Sequence, residues 1–244
     1  MRKNLKDFIL ELIPKVISDA IRFPLLVEYQ RMEKEKMEFG QLSYAQEGED
    51  ILLNRIFNFK QSGVFVDVGA HHPKRFSNTY LFYKMGWRGV NIDAMPGSMA
   101  AFHNIRPLDK NIECGVGLKK GQLTFYIFKE PALNTFDENQ ARIYKSEGWE
   151  LLEEKFVDVL PLVDLLEANL ESKEIDFMSI DVEGFELNIL RSNNWTKFRP
   201  TFILIEDLKF SFDHLDENQV YQFLIGEGYS IFGKTVNTLL YKAL

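Results

Sequence analysis

A chain of 244 residues with 45% hydrophobic and 27% charged side chains has the make-up of a folded globular protein, which excludes fibrous and disordered classes. Its 29 lysines and arginines against 36 aspartates and glutamates leave a net charge of −7, and no stretch gathers enough cations to hold a nucleic-acid backbone. A single cysteine, Cys114, and four histidines exclude a disulfide framework and the usual Cys/His structural zinc site, so a reducing, cytoplasmic setting is expected.

In chain order, Leu5, Phe8, Ile9, Leu12, Ile13, Val16, Ile17, Ala20 and Ile21 recur at spacings of three and four, an apolar stripe on a helix that Pro14 is set to kink. Charges at Lys6, Asp7 and Glu11 interrupt any signal core, and no run reaches the 18 or so apolar residues of a membrane span. Two readings of this arm stay open: it packs on the body or on a second copy as a homo-oligomer contact, or it lies on a membrane surface with Arg2, Lys3, Lys6, Lys15 and Arg22 toward anionic lipid. Mixed charges from Glu28 to Glu38 end at Gly40, which divides the chain into an arm, 1–40, and a body, 41–244.

From Gly63 onward short apolar runs alternate with helical stretches, the pattern of βαβ units and a mainly parallel sheet. Strands are predicted at Val64–Val68, Gly89–Asp93, Asn111–Gly115, Leu123–Phe128, Asp176–Asp181 and Thr201–Glu206. Helices are predicted at Thr79–Lys84, Gly97–Ile105, Leu162–Asn169, Phe185–Arg191 and Glu217–Gly226. Tyr229–Phe232 and Thr238–Tyr241 read as a closing antiparallel edge, and the remainder of 122–160 as an insertion over the site. Runs such as Phe202-Ile203-Leu204-Ile205 are apolar on successive residues, as strands covered on both faces require.

Ligands of open α/β sheets bind at the carboxyl ends of the strands. There the sequence sets Asp67, Gly69, Ala70, His71, His72 and Pro73 at the first strand, Asp93, Ala94 and Met95 at the second, Asp181 and Glu183 at the strand Asp176–Asp181, and Glu206 and Asp207 at the strand Thr201–Glu206. A carboxylate closing the second strand is placed to accept both hydroxyls of a ribose, so Asp93 is the predicted nucleoside anchor. Gly69 permits a sharp turn and close approach of backbone to ligand. The loop is not Gly-x-Gly-x-x-Gly, because His71, His72 and Pro73 stand where glycines are needed, which argues against a dinucleotide pyrophosphate. Ser77 is the expected cap of the next helix, with Asn78 beside it. Trp87 and Trp195 read as packing, Trp149 as packing or a sugar platform, and Cys114 as a small buried hydrophobe.

Several blocks together resemble the FkbM-type S-adenosylmethionine-dependent methyltransferases: Ser43-Tyr44-Ala45-Gln46-Glu47-Gly48-Glu49-Asp50, Phe65-Val66-Asp67-Val68-Gly69-Ala70, Ser77-Asn78-Thr79-Tyr80, Gly86-Trp87-Arg88-Gly89, Ile92-Asp93-Ala94-Met95-Pro96, Asn134-Thr135-Phe136 and Ile180-Asp181-Val182-Glu183-Gly184. The resemblance spans roughly 41–206 and leaves the arm outside. It implies a Rossmann-like methyltransferase fold with a seven-stranded sheet, helices on both faces, and O-methylation of hydroxyls on sugars, glycans or macrolide-like compounds. It also implies that Asp67, Gly69 and Ala70 flank the methionine and ribose, that Ser77 and Asn78 sit near the amino-acid end, and that Asp93, Ala94 and Met95 hold ribose and adenine. Asp93 departs from the glutamate of many members, and His71-His72-Pro73 from their loop.

A sugar hydroxyl does not ionise at neutral pH, so methyl transfer to it needs a base or a metal. Asp181, Glu183, Glu206 or a loop histidine, His72 above all, is the candidate base; alternatively Asp181, Glu206 and Asp207 gather Mg²⁺. Rival readings are a metal-dependent nucleotide-sugar glycosyltransferase using Asp181 and Glu183, a short-chain dehydrogenase through Tyr80 and Lys84, and a non-catalytic partner protein. The expected acceptor is a nucleotide-linked sugar or a surface-glycan precursor.

Overall fold

The computed structural model describes residues 40–172 and 174–244, together with Val27, Glu28 and Arg31. The helical arm expected over residues 1–27, with its kink at Pro14, lies outside them apart from Val27. Residues Met1–Leu42 and Ser43–Leu244 separate into two units, and the second carries the elements described below.

In chain order these are α1 (Glu49–Ile56), β1 (Val64–Val68), α2 (Tyr80–Met85), β2 (Arg88–Asp93), α3 (Met99–Ile105), β3 (Lys110–Glu113), β4 (Gly115–Val116), β5 (Gly121–Phe128), α4 (Glu138–Ser146), β6 (Leu151–Leu160), α5 (Leu162–Asn169), β7 (Phe177–Ile180), α6 (Glu186–Arg191), β8 (Phe202–Glu206), α7 (Gln219–Gly226), β9 (Tyr229–Lys234) and β10 (Thr238–Ala243). Seven strands form one sheet in the order β3-β2-β1-β7-β8-β10-β9. The first five are parallel and β10 is antiparallel to both β8 and β9, which is the Rossmann-like methyltransferase arrangement with an antiparallel edge.

The strands are apolar on consecutive residues because both faces are covered. Phe65, Phe177, Phe202, Leu204 and Leu240 pack with Leu53 of α1 and Phe82 of α2 on one side. Val66, Met178, Ile203, Ile205 and Leu239 pack with Leu165 of α5 and Leu224 of α7 on the other. Trp87 and Trp195 are buried in these layers, as expected for packing residues, whereas Trp149 is 47% exposed.

Two expectations need correction. The strand predicted over Asn111–Gly115 divides: β3 stops at Glu113, the Cys114 N–H still donates to Asp93 O (3.0 Å), and Gly115 turns away to pair with Val159. Cys114 is consequently half-buried, not a core hydrophobe. The insertion also holds more order than one added strand. Long β6 pairs antiparallel with β5 and, over two residues, parallel with β4 in a separate three-stranded sheet, and α4 lies between β5 and β6 in the chain. The charged centre of β6, Glu153-Glu154-Lys155, is solvent-exposed, so it carries no apolar alternation to reveal the strand. Helix α1, which precedes β1, likewise went unpredicted.

Candidate active site

Parallel register brings the chemistry together. Val68 pairs with Ile92 on one side and Ile180 on the other, and Ile180 pairs with Ile205. The next residue of each strand therefore falls in one row across the carboxyl edge: Asp93, Gly69, Asp181 and Glu206. Asp93 and Asp181 are two strand positions apart, roughly 10 Å. Gly69 sits between them with φ +80°, and a Cβ there would lie 1.7 Å from the Asp181 carbonyl oxygen. The glycine is thus demanded first by the β1–β7 approach, a stronger constraint than closeness to a ligand.

A cavity of about 480 Å³ opens along this row, within the roughly 300–1,000 Å³ common for small-molecule sites. Among its walls are Gly69, His72, Asp93, Ala94, Met95, Asp181 and Glu183, with Gln46, Cys114 and, from the insertion, Phe125, Asn134 and Phe136. Asp67, Ala70, Ser77, Asn78, Glu206 and Asp207 do not line it.

Asp93 is held rigidly. Its Oδ2 accepts the His71 N–H and its Oδ1 the Met95 N–H, both at 2.8 Å. Each oxygen keeps a further lone pair for a hydroxyl. Burial pushes its pKa up. The neighbouring amides are all spent internally: Gly69 and Ala70 N–H both donate to Ile92 O, and His72 N–H to Ala70 O. With His71 on Asp93, this loop has no free N–H between 69 and 72 with which to cradle a phosphate.

Asp67 faces a different environment. Its Oδ2 accepts from Thr79 Oγ1 (2.6 Å), which itself accepts from Arg106 Nη1 (2.9 Å). Arg106 and Asp109 form an ion pair at 2.9 Å with both side chains fully buried. Burial raises Asp67 to about 6, with Thr79 and Arg106 opposing. Ser77 Oγ accepts the Tyr80 N–H (3.1 Å), but the cap position of α2 is Thr79, not the expected Ser77; Asn78 Nδ2 donates to Ser179 Oγ (3.0 Å). These three residues brace the β1–α2 loop. Arg106, the centre of the network, had no sequence signal, since a lone arginine ending a helix reads as surface.

At the other end of the row, carboxyl oxygens of Asp181, Glu183 and Glu206 all lie within 4.8 Å of one another. Glu183 has φ +52°, a costly conformation for a non-glycine residue. Thr135 Oγ1 donates to its carbonyl (2.7 Å) and Tyr144 Oη donates to its Oε2. Both donors come from the insertion, and sequence reading assigned neither. Asp207 is not in the cluster: its carboxylate accepts from Asn218 Nδ2 (2.6 Å) and the Lys209 N–H (3.1 Å).

Crowded, desolvated carboxyls resist ionisation. Burial first and Asp181 second raise Glu183 to about 8. Burial and Glu206 hold Asp181 well above the carboxylate range, and burial and Glu183 raise Glu206. Asp181 and Glu206 are both held toward their protonated forms. His72 differs from the expectation of a base. Its Nδ1 accepts the Lys74 and Arg75 N–H groups (3.0 and 2.9 Å), so the neutral ring carries its hydrogen on Nε2 and presents a donor. The Tyr80–Lys84 pair is off the cavity, with Lys84 Nζ on the Tyr44 hydroxyl (2.9 Å).

The methyltransferase FkbM domain matches residues 67–231, more than half of the chain. The chain belongs to the FkbM methyltransferase family. As an FkbM protein it is an S-adenosylmethionine-dependent methyltransferase. It is also similar to a TehB-like methyltransferase from Corynebacterium glutamicum (10% identity, TM-score 0.43, 89% of this chain and 97% of that one). Further similar structures are the 1,6-didemethyltoxoflavin-N1-methyltransferase of Burkholderia thailandensis, with its substrate and S-adenosylhomocysteine bound (11%, 0.42, 94% and 88%), and a precorrin-6y C5,15-methyltransferase from Geobacter metallireducens (11%, 0.40, 82% and 88%). No curated protein is significantly similar in sequence. Among the described residues no helix is long and apolar enough to cross a membrane.

The FkbM cavity fits its cofactor: one end holds a carboxylate with two lone pairs to spare, and the loop that would have to bind a dinucleotide's phosphates has its amides occupied.

Proposed function

We propose that this FkbM protein O-methylates a hydroxyl of a sugar. Asp93 holds the ribose hydroxyls, flanked by Ala94 and Met95, and the Asp181–Glu183–Glu206 cluster receives the acceptor. The observation that supports this most is the acid cluster two strands from Asp93 along one cavity. A polyol is bound well by clustered carboxyls, and an alcohol needs a proton acceptor that a more acidic nucleophile does not.

Bound S-adenosylmethionine supplies an electrophilic methyl group to an attacking oxygen. The chain's part is to align that oxygen and to take its proton. Asp181, in the cavity wall, accepts the hydroxyl proton in its ionised form, and the neighbouring acids favour the neutral carboxyl that results. Tyr144 and Thr135 fix Glu183 beside Asp181. Of the residues proposed from sequence for Mg²⁺, Asp207 has its oxygens engaged elsewhere, so the proposed set does not assemble as such.

Calorimetric titration with S-adenosylhomocysteine tests the cofactor half. Loss of hydrogen bonds to a charged group costs about 1.5–3 kcal/mol, so Asp93→Ala is expected to weaken binding roughly tenfold to hundredfold. Undiminished binding by that variant removes Asp93 from the site.

A further inference from the structure

We infer that the cavity rim at Arg75 is a binding site for a phosphate or diphosphate group carried by the acceptor, which makes the substrate class phosphate- or diphosphate-linked sugars. This deepens the sugar-methylation reading and rests on it.

The loop from β1 to α2 brings His71, His72, Arg75 and Phe76 into the cavity wall. The Arg75 guanidinium lies over the Phe76 ring, 4.3 Å from its centroid, which orients its plane. Its protein contacts all run through Nη1, to Glu130 Oε1 at 3.1 Å and to His71 Nε2 at 3.4 Å. The Nε–Nη2 edge, the fork that receives a carboxylate or phosphate through two parallel bonds, is therefore uncommitted among the described contacts. His72 contributes a second donor, because its Nδ1 is capped by two backbone amides and its hydrogen stands on Nε2. Burial and Arg75 keep His71 neutral by lowering its pKa, which leaves Arg75 as the fixed positive charge of this wall.

Elsewhere the cavity refuses an anion. The amides of residues 69–72 are spent, and the far end is acidic. The Arg75 and Glu130 side chains are 45% and 36% exposed, at the mouth, whereas Asp93 is 8% exposed at the inner wall. Two anions compete for Arg75, the cofactor's carboxylate and an anionic group of the acceptor, and the exposed position of the guanidinium at the rim favours the acceptor's, with its hydroxyl toward Asp181. Glu130, whose Oε1 also accepts the Ala132 N–H (3.3 Å), is the internal anion that the ligand's phosphate displaces.

The test is calorimetric titration of the S-adenosylhomocysteine-saturated protein with inorganic pyrophosphate and, separately, with a nucleoside diphosphate. Both are expected to bind. Arg75→Gln is expected to weaken them tenfold or more and to leave S-adenosylhomocysteine affinity within twofold, and Glu130→Gln, which removes the competing anion, to tighten them several-fold. Absence of pyrophosphate binding to the saturated protein overturns the inference. So does an Arg75→Gln protein that loses S-adenosylhomocysteine tenfold, which would put the guanidinium on the cofactor's own carboxylate. A Glu130→Gln protein with unchanged pyrophosphate affinity also counts against it. If S-adenosylhomocysteine itself fails to bind the wild type, the methyltransferase site assignment falls first, and the two failures are told apart by that initial titration.

Discussion

The acid cluster leaves a signature in stability that needs no substrate. Glu183 titrates at about 8 in the fold against an ordinary 4.5, so between those values the folded protein keeps a proton that the unfolded chain has released. Stability is then greatest at the acid end of that window and is lost as pH rises toward 8. Each pH unit with the proton fully retained costs about 1.4 kcal/mol, and the loss shrinks as the group titrates, so pH 6 to 8 removes about 2 kcal/mol through this residue. For a unit of roughly 200 residues that is about 4–8 °C in Tm. Glu183→Gln keeps an oxygen for the Tyr144 hydroxyl and cannot titrate. Scanning calorimetry at pH 6, 7 and 8 should show the wild type falling and the variant falling less by that amount, with the variant the more stable protein at pH 8. A residual slope from Glu206, which has the same sign, remains in both. Identical slopes would mean that Glu183 ionises normally and that the cluster is not a proton store.

Asp181→Asn should leave S-adenosylhomocysteine affinity within a few fold and lower methyl transfer to diphosphate-linked hexoses by about 100-fold or more, measured with labelled cofactor; full turnover would exclude Asp181 as the proton acceptor. The same assay in wild type should rise with pH through about 7 to 8, as the cluster ionises, and a flat profile would contradict a carboxyl base. Treatment with a chelator is expected to leave that rate within twofold, and a loss restored by added Mg²⁺ would instead place a cation among Asp181, Glu183 and Glu206. Gly69→Ala must both adopt φ +80° and clear the Asp181 carbonyl, so urea unfolding should show a loss of at least about 2 kcal/mol; an unaffected midpoint would refute the packing role given to this glycine.

The parallel sheet was readable because its strands are apolar on every residue, and the strand-end acids because polar residues that close such runs have few other uses. Register was not readable, and it is register that sets Asp93, Gly69, Asp181 and Glu206 in one row. Asp67 carries the same strand-end signal as Asp93, and Ser77 was read as a helix cap, yet both face a buried network, since no local pattern announces a distant partner such as Arg106. His72 was found by position, but its chemistry depends on two backbone amides that only the folded turn supplies. Tyr144 escaped notice because α4 lies in a segment where alternation breaks down and charged residues hide the strand that follows.

The wall that faces the acids from β5 to β6 belongs to its own small sheet, tied to the main one where Glu113 passes into Gly115. The small sheet and its helix bring Phe125, Asn134 and Phe136 to the cavity wall and Thr135 and Tyr144 onto Glu183, while Asp93, Asp181 and Glu206 all stay on the main sheet. Exchange of residues 121–160 between relatives would reshape that wall and leave Asp93 and its strand untouched, which makes this segment the natural unit for redesign.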